Sequence, residues 1–154
     1  MGAAEPSEAG GRDITPAELP AAFAEGWALP KPDAFLDFFM PLIHEDAVFT
    51  QPLLAQARGH AQIDAMFRRL FGLMPEFVAV PRRFAVDREV VFIESHCLAA
   101  VARTRVRFQV CDRFVVSDGR ICERWTFFDP SPMARIIVAR PWLWRGALRV
   151  RRGA

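Results

Sequence analysis

Alternation of apolar and polar residues dominates the second half of the chain. It predicts four strands, at about residues 77–86, 90–101, 104–116 and 120–128, separated by short turns. Within the third, Thr104, Val106, Phe108, Val110, Phe114 and Val116 share one face, and Asp112 shares it too. The opposite face carries Arg105, Arg107, Gln109, Cys111 and Arg113. A carboxylate in the middle of an apolar stripe is the first feature that needs an explanation.

The first half follows a helical period instead. Thr15-Pro16-Ala17-Glu18 reads as a capping box with Pro at the first helical position. Leu19, Phe23 and Trp27 follow at helical spacing, Pro20 weakens the second turn, and Leu29-Pro30-Lys31-Pro32 ends the helix. Asp33 is placed to cap a second helix carrying Phe35, Phe38, Phe39, Leu42 and Ile43, which Pro41 kinks or ends early. A short strand at 47–51, stopped by Pro52, precedes the strongest helical pattern, residues 60–74. Its stripe is Ile63, Met66, Phe67, Leu70, Phe71 and Met74, with Asp64, Arg68 and Arg69 turned outward. Helices, one strand, another helix and then an antiparallel meander imply an α+β fold, with helices on one face of a bent sheet.

Charge chooses the register of the last hairpin. Around Ser117-Asp118-Gly119, a two-residue loop sets Asp112 opposite Trp125 and Arg113 opposite Arg124. A three-residue loop with Gly119 left-handed sets Asp112 opposite Arg124 and Arg113 opposite Glu123. Opposed like charges destabilise a ladder, so the three-residue loop is expected. A tight Ala102-Arg103 turn before it puts Ile93, Ser95, Cys97 and Ala99 on the Asp112 side.

Composition narrows the function classes. The chain has 154 residues, 52% of them apolar, with 14 Phe and no Tyr. That is enough for one domain with a real core, and no phenol can act as a proton donor. No run of eighteen apolar residues and no signal peptide is present, and three Cys in predicted strands suit buried reduced thiols of a cytoplasmic protein. Six of the 20 Lys and Arg lie after Asp129 with none of the 18 acids, so the body carries −4 and the tail is basic. The body lacks the basic face of a nucleic-acid binder. Domain organisation is expected as a disordered terminus (1–13), one domain (14–132) and a basic, Trp-containing tail (133–154). That tail is read as a segment folded over the body with its Arg outward, ahead of an alternative in which it touches anionic membranes.

No phosphate loop, zinc spacing, dinucleotide fingerprint or serine elbow occurs, and His44, His60 and His96 lack ligand spacing. No metal or cofactor is therefore expected. What the pattern supports is an interior in which Asp112, Arg124, Ser95 and Thr126 meet among Phe and Val side chains, the usual form of a small-molecule site. The competing reading is an Asp112–Arg124 ion pair that fixes register without chemistry. Glu94 and His96 share the outer face with Phe92, Trp125 and Phe127, which reads as a subunit interface.

Three motifs, "HEDAVFTQP", "RGHAQIDAMFRRLF" and "DRFVVSDGRICERWTFFDP", with the helix of Phe23 and Trp27, resemble the SnoaL-like branch of the nuclear transport factor 2-like superfamily. The resemblance covers about residues 23–132. It implies a cone of about three N-terminal helices wrapped by a strongly curved, mostly antiparallel sheet, usually dimeric through that sheet. Members include ketosteroid isomerases, polyketide cyclases, limonene epoxide hydrolases and non-catalytic binding domains. Asp112 falls where the isomerases keep an oxyanion-hole Asp, whereas their general base falls on Gln51 and their Tyr at or near Phe23. The Arg and Asp of one epoxide hydrolase strand become Ser95 and Cys97, and the second Asp becomes Thr126.

The expectation is thus a homodimeric binder of a small apolar molecule. As an enzyme it would be a cofactor-independent isomerase, cyclase or dehydratase working by proton transfer. Asp112 would be the acid/base and Arg124 its orienting group or an oxyanion stabiliser, with Gln51, Ser95 and Thr126 positioning the ligand and Trp27 and Phe49 in the wall. The alternative is a non-catalytic ligand-binding or protein-interaction domain.

Overall fold

The computed structural model describes residues 12–144. Helix α1 (Leu19–Ala28) and helix α2 (Asp33–Phe39) come first. Strand β1 (Ile43–Thr50), the short β2 (Ala57–Arg58) and helix α3 (Gly59–Leu73) follow. The meander is β3 (Val78–Asp87), β4 (Val90–Val101), β5 (Thr104–Ser117) and β6 (Arg120–Phe127), and helix α4 (Ser131–Val138) and a 3₁₀ turn (Pro141–Leu143) follow it. One six-stranded sheet has the order β2-β1-β6-β5-β4-β3. All its pairings are antiparallel except β1 with β6. The first three helices cover its inner face, α1 across β3 and β4 and α3 across β1, so the α+β cone is observed.

The first helix begins later than the capping box implied. Glu18 accepts from both the Thr15 amide (2.9 Å) and the Thr15 hydroxyl (2.7 Å), which closes a turn ahead of α1. Pro20 then falls in the first helical turn, where a missing N–H costs nothing. Pro41 ends α2 at Phe39 and leaves a single 3₁₀ turn, Met40–Leu42. Asp33 opens α2 without a capping hydrogen bond, and its carboxylate instead takes Arg68 at 2.7 Å. Gly26 is the contact between α1 and α2, because a Cβ there would lie 2.3 Å from the Phe39 ring and 2.8 Å from Phe38.

The last hairpin turns differently from the charge-based expectation. Ser117 pairs with Arg120 across a two-residue Asp118-Gly119 loop, both residues at positive φ (49° and 73°), a geometry whose twist matches the flanking strands. The extra residue is absorbed two positions later, as a bulge at Cys122 between the Val116–Ile121 and Val115–Glu123 pairs. Asp112 therefore lies opposite Thr126, and Arg113 opposite Trp125. The expected ion pairs still form, but diagonally: Arg113 meets Glu123 at 2.5 Å, and Arg124 reaches Asp112. Long arginine side chains span that offset, so complementarity does not require residues to face each other directly.

The bulge decides which side chains enter the core. Without it, Trp125 would stand inside opposite Asp112. With it, Arg124 and Thr126 turn inward and Trp125 and Phe127 turn out. Between β4 and β5 the tight turn is as expected, with Val101 paired to Thr104 and with Ala102 and Arg103 both at positive φ. Ahead of α1, Ile14 donates to the Gly119 carbonyl, and Arg120 holds the Arg12 carbonyl and the Asp13 carboxylate. Residues 1–11 of the expected disordered terminus, and residues 145–154 of the tail, lie outside the described residues.

Candidate functional site

Four polar residues are buried among the described residues: Ser95, Asp112, Arg124 and Thr126. They are the four that strand alternation places inside. Ser95 comes from β4, Asp112 from β5, and Arg124 and Thr126 from β6. Asp112 Oδ1 accepts from Arg124 Nε (2.9 Å) and from the Thr126 hydroxyl (2.5 Å), with Arg124 Nη2 also 2.9 Å away. The guanidinium carbon lies 5.7 Å from the Phe49 ring centre and 5.5 Å from that of Phe67, two rings that are themselves edge to face with centres 6.2 Å apart, so it packs over an aromatic pair. Arg124 Nη1 and Ser95 Oγ are buried with no hydrogen-bond partner.

The remaining interior space is small. A cavity of about 20 Å³, room for about one water, is walled by aromatic rings that include Phe23, Trp27, Phe49, Phe67 and Phe114. Arg124 is its one polar wall residue. Trp27 packs its ring 5.0 Å from Phe35 and 5.4 Å from Phe77. Trp27 and Phe49 line the cavity wall, whereas Asp112, Ser95 and Thr126 do not line it; Asp112 is held to Arg124 and Thr126 by hydrogen bonds. Gln51 follows the end of β1, half-buried, and makes no hydrogen bond to the cluster. The position came from the family resemblance, and β1 ends one residue before it, at Thr50.

Reactive groups are otherwise scarce. Cys97 is buried beside the cluster, and burial, helped by the Asp112 carboxylate and opposed by Arg124, pushes its thiol up to about 12. It is a neutral packing residue at ordinary pH, not a nucleophile. Cys111 is likewise shifted upward, first by burial, although it and Cys122 are only half-buried, less enclosed than expected. Among the described residues no group of three or more His, Cys, Asp or Glu could hold a metal ion. No helix among them is long and apolar enough to cross a membrane.

Comparison with known proteins agrees with this architecture. The SnoaL-like domain family model matches residues 21–124, and the chain belongs to that family. No curated protein matches the sequence. Among solved structures, a putative SnoaL-like polyketide cyclase from Jannaschia sp. CCS1 is 18% identical with a TM-score of 0.67, covering 88% of this chain and 96% of the other. An LEH-like epoxide hydrolase from M. tuberculosis is 26% identical with a TM-score of 0.62, covering 81% and 97%. A protein of ketosteroid isomerase-like fold from Catenulispora acidiphila, in complex with trimethylamine, is 17% identical with a TM-score of 0.63, covering 75% and 88%.

Proposed function

We propose that this SnoaL-like protein binds a small, largely apolar and uncharged molecule in the aromatic chamber, whose rings move apart to admit it, with Arg124 as the group that meets it. The observation that carries the reading is the unpartnered Nη1 of a buried arginine on the wall of an otherwise apolar cavity. A buried donor left unmade costs about 1–3 kcal/mol, which a ligand oxygen would recover. Two features narrow the ligand. Asp112 takes up Nε and Nη2, which leaves one nitrogen rather than the two-pronged fork that grips a carboxylate or phosphate. The Asp112–Arg124 pair is also already neutral, so an entering anion would stay uncompensated. A single neutral acceptor such as a carbonyl oxygen satisfies both.

If the protein is an enzyme, the fitting reaction class is proton transfer: isomerisation, cyclisation or dehydration. Arg124 would stabilise the oxygen on which negative charge grows. Asp112 gives Oδ1 to three donor atoms and does not line the cavity, so its best-supported role is to position the guanidinium; Thr126 braces the carboxylate. The non-catalytic reading has its own support, since rings fill most of the chamber and no base stands on its wall. The outer face, where Trp125 and Phe127 stack 6.0 Å apart in the open, supports a homodimer formed through the sheet.

The test is a pair of near-isosteric probes. Titration with acetophenone is expected to shift the Arg124 side-chain and Trp27 indole resonances in nitrogen-15 NMR, and benzoate is expected to bind at least about tenfold more weakly. Arg124→Met should abolish the preference. Equal or tighter binding of benzoate would overturn the neutral-acceptor assignment, and no response to either probe would overturn interior binding altogether.

A further inference from the structure

The described part of the segment after β6, residues 130–144, packs against the body but leaves apolar side chains in the open. Met133 is buried, and Arg140 Nη2 donates to the Thr104 hydroxyl at 2.9 Å, which fastens α4 to the start of β5. The Trp144 indole N–H donates to the Ile137 carbonyl at 3.0 Å and folds the following 3₁₀ turn, Pro141–Leu143, back toward the helix. Yet Val138 is 67% exposed, Trp142 73% and Trp144 49%. A segment whose only task was to cap the core would hide these groups before hiding a methionine. Exposed arginines lie on the same elements: Arg135 on α4, and Arg103 next to Thr104 in the turn before β5. From Pro130 to Ala154 the sequence has six Arg and no acid.

We propose that this end of the molecule is a docking surface for an anionic lipid bilayer. The arginines would meet the headgroups while Trp142, Trp144 and Val138 enter the boundary between headgroup and acyl chain, where indole rings, apolar with one polar N–H, are at home. Charge complementarity selects the occupant: a basic end on a body of charge −4 favours an anionic plane that the rest of the molecule turns away from. Exposed aliphatic Val138 beside the tryptophans favours lipid over nucleic acid, which would use stacking rings and phosphate contacts alone. The attachment is peripheral and reversible.

Full-length protein is mixed with vesicles of phosphatidylcholine alone or with one-third phosphatidylglycerol, and bound protein is measured by sedimentation. Binding to the anionic vesicles is expected to exceed that to neutral ones about tenfold or more, to fall at high salt, and to shift tryptophan emission to the blue. The Val138→Ser/Trp142→Ala variant changes only exposed side chains; it should fold normally by circular dichroism and bind about tenfold more weakly. Three results would each overturn the proposal. They are absence of binding to the anionic vesicles, unchanged binding by the variant, and a single-stranded oligonucleotide bound more tightly than the vesicles.

Discussion

Arg124 is the residue through which the interior acquires chemical character. Its guanidinium packs over the neighbouring rings of Phe49 and Phe67, one edge is committed to Asp112, and one nitrogen remains. Alternation along β4, β5 and β6 was enough to place Ser95, Asp112, Arg124 and Thr126 inside, because a period of two assigns faces without any knowledge of long-range packing. The assumed register was off by two residues rather than one, and a shift of two preserves every facing. Which of the four touches the cavity was not legible, since that depends on how deeply each side chain lies behind its neighbours. Cys97 offers a check on the burial of the cluster. Its thiol sits near 12 when folded against 9.0 for an ordinary cysteine. Between those values the folded chain holds a proton that the unfolded chain has lost, so stability is full below pH 9 and falls as pH rises toward 12. The loss is at most ~4 kcal/mol. Denaturant titrations from neutral to alkaline pH should therefore show a steeper decline for the wild type than for Cys97→Ala, which has no such proton to keep.

At the level of elements, local signals were reliable for type and weaker for joins. The α3 stripe was predicted within a residue of its ends, and Ile63, Met66, Phe67 and Phe71 are buried as its spacing required. The hairpin turn departs from the charge-based expectation because strand twist favours the two-residue loop, and the bulge at Cys122 reconciles that loop with the ion pairs. The joining of α1 to α2 depends on Gly26, a position the sequence pattern did not single out. A methyl group there would press into the Phe39 and Phe38 rings, part of the aromatic packing behind the site. Helix propensity alone favours Ala over Gly by about 1 kcal/mol, but overpacking costs about 1–3 kcal/mol or more. At 2.3 Å from a ring held on the next helix, the clash prevails. Gly26→Ala is expected to lower the thermal midpoint by several degrees, measurable by circular dichroism, where an exposed helical Gly→Ala change would raise it.

For the molecule as a whole, two faces of the sheet divide the work. The inner face and three helices enclose the chamber, while the outer face shows Phe92, Trp125 and Phe127 to solvent. Glu94 pairs across the strands with Cys111, and Arg113 reaches Glu123 on the same outer side, so the face mixes rings with compensated charge. If that face joins two copies, placing like charges at its aromatic centre should separate them. Sedimentation equilibrium is expected to give a dimer for the wild type and a monomer for Trp125→Lys/Phe127→Lys, both exposed substitutions that leave the core intact. A wild-type monomer at every concentration would remove the dimer from the picture.

The parallel pairing of β1 with β6 has one more consequence. It sets Phe49 beside Arg124, residues separated by half the chain, and it is the contact least available to local sequence reasoning. The antiparallel meander can zip through tight turns, each closing a short loop, but this ladder closes a loop that spans α3, β3, β4 and β5. Contacts of such long sequence separation form slowly, because the entropy of closing the loop is lost before the contact returns anything. The guanidinium thus meets the Phe49 ring only when the first strand closes against the last. A ribosome-bound chain that ends before β6 lacks Arg124 altogether, so Phe49 of β1 and Phe67 of α3 have no guanidinium to pack against. The chamber gains its one polar wall residue only with the last strand.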